Sequence, residues 1–81
     1  MAEGANGLTG YHLHVSVEND AIIIRVVGSH HCVTYRRTSE SPWLICTDIR
    51  DDPISPIDRH LFRAQAWTAA NEKARELGWI V

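Results

Sequence analysis

With 81 residues, eight basic against ten acidic side chains and a net charge of −2, the chain fits one small domain with room for one thin core. That balance excludes a protein that grips nucleic acid by bulk electrostatics alone, and the size excludes a deep substrate cleft. Two cysteines, Cys32 and Cys46, are too few for a secreted disulfide scaffold, and no apolar run exceeds the length of Ala21 to Ile24, far too short for a membrane span; a cytoplasmic chain with no membrane partner is expected.

Residues 1–10 carry Gly4, Gly7 and Gly10 among small polar neighbours and show no apolar period, which predicts a flexible arm ahead of a single domain over residues 11–81. From Tyr11 the pattern changes. Tyr11, Leu13, Val15 and Val17 alternate with His12, His14 and Ser16, the period-two pattern of a half-buried strand. Asn19-Asp20 then reads as a two-residue hairpin turn. It places Val17 opposite Ile22, Val15 opposite Ile24 and Leu13 opposite Val26, so the inward sets of the two strands coincide.

Gly28 to His31 is the next turn. With Ser29-His30 at its tip, Val26 pairs with Val33 and Ile24 with Tyr35. Thr38 to Pro42 breaks the third strand, and Trp43 to Asp48 resumes as a fourth whose facing stays open: Trp43 and Ile45 point inward, or Leu44 and Cys46 do. Asp51 to Ile54 is a loop. Ser55 as cap, Pro56 at the first helical position and Asp58 at the third predict a helix that Gly78 closes, with Trp79 and Ile80 folding back over its last turn. The fold class is therefore α+β: a four-stranded antiparallel meander, or three long strands, packed on one C-terminal helix.

The helix carries three apolar stripes: Ile57, Leu61, Ala64 and Thr68; Phe62, Ala66 and Ala69; and Trp67, Ala70, Ala74 and Leu77. The third has the cleanest spacing and is the expected core seam. One sheet face cannot cover all three, so Ile57, Leu61 and Phe62 form a candidate contact surface, with Leu61 or Phe62 expected to stay partly exposed.

The outer sheet face is the second candidate surface. Seven of the eight basic residues are Arg, which binds carboxylate or phosphate bidentately, and Arg25, Thr34, Arg36 and Arg37 lie on strands two and three beside Ile23 and Val27. In topology alone, three or four antiparallel strands followed by one helix resembles the small DNA-binding domains of one class of plant transcription factors and of certain phage-type integrases. No motif of either stands in the sequence, and Glu40, Asp48, Asp51 and Asp52 oppose a phosphate backbone.

Five histidines invite a metal reading. The predicted pairing gathers His12, His14 and Cys32 with His30 and His31 at one end of the outer face, though without the short spacing of structural zinc sites, so no metal is expected. Ser55, Asp58 and His60 resemble a catalytic triad only superficially, since capping accounts for the first two. Adjacent acids such as Asp51 and Asp52 before a proline read as a solvated loop. With no catalytic constellation and no cofactor motif, the expected function is non-catalytic binding of a protein, as a homodimer, adaptor or small inhibitor. Nucleic acid on the outer sheet face is the alternative.

Overall fold

In the computed structural model, which describes residues 12–80, β1 (Leu13–Glu18), β2 (Ala21–Val26), β3 (Cys32–Thr38) and β4 (Ser41–Arg50) form an antiparallel sheet in sequence order. One helix, α1 (Arg59–Glu76), packs on one face, chiefly over β2 and at the margins over β1 and β3. This is the α+β architecture the alternation predicts; the arm expected over residues 1–10 lies outside the described residues.

Asn19, at φ 55°, reverses the first hairpin and sets the predicted register, with Val17 against Ile22, Val15 against Ile24 and Leu13 against Val26. The second hairpin differs from expectation. Ile24 pairs with Val33 and Ile22 with Tyr35, two residues from the predicted register. Gly28 at φ 89° and a Ser29 N–H bond to the Val26 carbonyl make the loop wider, and His31 turns into the core instead of flanking a tip. The slip is even, so the inward set survives it.

β4 extends beyond the predicted strand at both ends, with Pro42 near its start on the sheet edge. Register shifts opposite Thr34/Tyr35 and Arg36/Thr38 bulge it. Leu44 is its buried residue, which settles the facing of this stretch: Leu44 points inward and Trp43 and Ile45 do not.

The core joins Ile22, Ile24, Val26, Val33, Tyr35 and Leu44 of the sheet to Phe62, Ala66, Ala70 and Ala74 of α1. Leu13 and Val15 pack at its border, whereas Val17, expected inside, is exposed near the end of edge strand β1. The helix seam keeps Ala70 and Ala74 of the predicted stripe but takes Phe62 and Ala66 in place of Trp67 and Leu77. An i, i+4 row runs from Phe62 through three alanines, whose small side chains let the helix backbone approach β2 closely. This rotation leaves Leu77 and Trp67 exposed, with Trp67 resting on Tyr35 at the core margin, ring centroids 5.5 Å apart.

α1 starts later than the sequence suggests. Asp58 is its N-cap, accepting from the His60 N–H at 2.7 Å and the Leu61 N–H at 3.4 Å, while Ser55 Oγ accepts from the Ile57 N–H in the preceding turn. The His60 bond above all, then that from Leu61, holds the Asp58 carboxyl below its usual range. At the other end the closure is as predicted. Gly78, at φ 79°, donates to Arg75 and Trp79 donates to Ala74, the paired bonds of a Schellman cap.

His31 fastens the β2–β3 loop to the segment leading into α1. Its Nδ1 accepts from the Asp52 N–H at 3.1 Å, so Nε2 carries the proton and donates to the Ile57 carbonyl at 3.1 Å. The ring stacks on Phe62 at 5.3 Å. Asp52 answers with its carboxylate, which accepts from the His30 N–H at 3.0 Å, Ser29 Oγ at 3.4 Å and the Ile54 N–H at 3.1 Å. The His30 bond is the chief reason its carboxyl sits below the usual range. Because Ile57 spends its carbonyl on His31, it is held outside the helix, which explains the later start.

Candidate functional site

Residues directly opposite in an antiparallel ladder share a face, so the register writes out the outer sheet surface row by row. One row is His14, Arg25, Cys32 and Arg50; the next is Ser16, Ile23, Thr34 and Asp48; the third is Glu18, Ala21, Arg36 and Ile45. Charge is therefore graded across the face. The first row holds two guanidiniums and an imidazole with no carboxylate, and the third ends in apolar Ile45, two positions after exposed Trp43 on the same strand.

Of the four predicted outer-face residues, Arg25, Thr34 and Arg36 stand together on this surface. Arg37 does not. Neighbours along a strand point to opposite sides, and Arg37 bonds Asp20 through Nε at 3.3 Å with its guanidinium 4.6 Å from the Trp79 ring centre. Arg50, which joins the surface from β4, is missed by the sequence reading because the fourth strand was expected to end at Asp48; alternation from Asp48 is the signal that points to it.

The helix candidates separate as well. Phe62 is fully buried against His31 and so offers no surface; Ile57 is half-buried on the core; Leu61 is 36% exposed. The expected gathering of histidines around Cys32 forms only in part: His14 shares its row, with Arg25 between them, and His30 lines the same hollow. The Val27 N–H bonds the His12 carbonyl at 3.0 Å, as the first hairpin requires, but Cys32 lies opposite Arg25 and His31 lies in the core. His12 and His14 are exposed, and no three His, Cys, Asp or Glu side chains converge as metal ligands among the described residues. Both cysteines are free thiols, Cys32 partly buried and Cys46 exposed.

The larger uncovered surface surrounds β4. Trp43 is 62% exposed and Ile45 44% on the outer side. Ile49 shares the inner face with its partner Val33 yet is 45% exposed, and Trp67 on the adjacent flank of α1 is exposed to the same degree. The cause is the position of the helix, which lies over β1 to β3 and leaves most of the inner side of β4 open. Tyr35 closes the boundary. Burial pushes its hydroxyl up to about 12, the Cys46 thiol opposite adds to that rise, and Arg63 works against it.

No helix among the described residues is long and apolar enough to cross a membrane. Comparison with known protein families, curated proteins and solved structures finds no match to this chain.

Proposed function

We propose that this domain acts by binding another protein, a second copy of itself included, through the surface centred on β4. The observation that carries the reading is that edge strand β4 exposes large apolar side chains on both sides, Trp43 and Ile45 on the outer side and Ile49, with Trp67 of α1, on the inner. Tryptophan is the side chain most enriched among residues that dominate interface energy, and such clusters work when a partner removes them from water. Leu61 lies on another side of α1 and extends no continuous surface with these residues; it contributes at most a rim. Bulges and Pro42 blunt the hydrogen-bonding edge of β4, so side chains rather than an added strand make the contact. The nucleic-acid alternative keeps Arg25, Thr34 and Arg36 on the outer face, loses Arg37 to Asp20 and meets Asp48 opposite Thr34, a charge that repels a phosphate backbone.

The test compares the wild type with a Trp43→Ala, Ile45→Ala double variant in affinity capture from source cells and in sedimentation velocity. Both side chains are exposed, so the variant keeps its fold, which circular dichroism checks. A protein captured by the wild type and lost by the variant, or a dimer that the variant dissociates, is the expected result. Identical capture profiles and a monomer in both forms refute the reading.

A further inference from the structure

The row His14, Arg25, Cys32, Arg50 contains a local oddity: a short side chain stands between two long cationic ones on three adjacent strands. Strands lie about 4.8 Å apart, so Arg25 and Arg50 rise about 10 Å from each other at the backbone, with Cys32 as the floor between them. The result is a hollow of about 600 Å³ whose lining includes Arg25, Cys32, Arg50, Ser29, His30 and Asp51. We propose that this hollow is a binding site for a small phosphate-class oxyanion held between the Arg25 and Arg50 guanidiniums.

The charges around it decide the matter. Arg25 has no acidic partner among the described residues, and Arg50 has only Asp48 at 3.9 Å, a long and solvent-screened pair with both side chains more than half exposed. Asp51, the carboxylate of the lining, is engaged elsewhere: its Oδ2 takes Arg63 at 2.6 Å and Arg59 at 3.8 Å. Asp52 nearby is occupied by Ser29 Oγ and the His30 and Ile54 N–H groups. The hollow therefore keeps one guanidinium with no acidic partner among the described residues, Arg25, and a second, Arg50, held only by the long exposed pair with Asp48. Each guanidinium presents a planar fork of donors, which matches the paired oxygens of a tetrahedral oxyanion. His14 stands opposite Arg25 on β1, next in the same row. The site uses other side chains than the β4 contact surface, so either can fail without the other.

The experiment is a titration of ¹⁵N-labelled full chain with inorganic phosphate at constant ionic strength, followed by amide shifts. Chloride and a duplex oligonucleotide serve as separate arms. The expected result is a saturable phosphate response centred on Arg25, Cys32 and Arg50, weakened about tenfold by Arg25→Ala and by Arg50→Ala taken singly. Both side chains are exposed, so the variants keep the wild-type spectrum elsewhere. A response to chloride of equal size, no saturation, or an unchanged response in the double variant overturns the site. Oligonucleotide binding that spreads over β1 to β4 and ignores both substitutions overturns it too, in favour of a non-local phosphate-backbone surface.

Discussion

Replacing His31 with Leu probes the joint between sheet and helix. The ring is 2% exposed and satisfies two main-chain groups, the Asp52 N–H and the Ile57 carbonyl. Leucine fills comparable space but leaves both groups without a partner. Each buried polar group so orphaned costs about 1–3 kcal/mol, and these two sit partly within reach of water, so the lower end applies to each, about 2 kcal/mol together. Loss of the ring contact with Phe62 adds about 0.5–1.5 kcal/mol, for a total near 3 kcal/mol. A domain of this length holds about 4–12 kcal/mol in all, so the loss is a large fraction of it. Equilibrium urea unfolding followed by tryptophan fluorescence reads it directly. With a slope of about 1 kcal/mol per molar for a small domain, the midpoint drops by about 3 M. His31→Gln, which can offer a donor and an acceptor, recovers part of that. A drop below about 1 M for His31→Leu, with unchanged slope, refutes the bonding roles given to the two ring nitrogens.

Ile24→Ala, at the fully buried centre of β2, costs about 2–5 kcal/mol in the same assay, and a loss below about 1 kcal/mol contradicts the packing of α1 on this strand. Asp52 and Asp58 are depressed in the folded state below the ordinary 3.8, so their stabilising effect is complete above that pH and is lost as the pH falls through their folded values. The thermal midpoint therefore declines below about pH 4, and Asp52→Asn combined with Asp58→Asn flattens that decline; an unaltered acid profile contradicts the capping roles. Tyr35 is raised from 10.0 to about 12, so its contribution is complete below pH 10 and fades as the pH climbs through 12. Ultraviolet titration shows the Tyr35 phenolate forming about two pH units late, and its appearance near pH 10 in folded protein contradicts the burial.

Legibility followed the range of the forces involved. Asn19-Asp20 is a local signal, and the first hairpin register came out of it directly. The second depended on His31, whose partners Asp52 and Ile57 lie more than twenty residues away, and no local pattern reveals such a bond. One trace was present: His31, Val33 and Tyr35 continue the inward alternation, which marks His31 as a core residue and not a turn residue. The helix period narrowed the seam to a few stripes, but choosing Phe62 with Ala66 over Trp67 with Leu77 required knowing that Phe62 fills the space beneath His31. Arg25, Thr34 and Arg36 are legible as outer-face residues because alternation is insensitive to an even register slip; Arg37, adjacent to Arg36, falls on the opposite side by the same alternation. The exposure of Ile49 and Trp67 was illegible, because it arises from where the helix axis lies over the sheet.

Site-specific photo-crosslinking tests most directly whether the β4 surface meets a protein. A photoreactive phenylalanine derivative replaces Trp43 in one form of the chain and exposed Glu72 of α1 in another, each irradiated in source cells. The β4 reading predicts a discrete protein adduct from position 43, this chain or another, that is absent from position 72. No protein adduct at position 43, equal adducts from both positions, or adducts with nucleic acid alone contradict it.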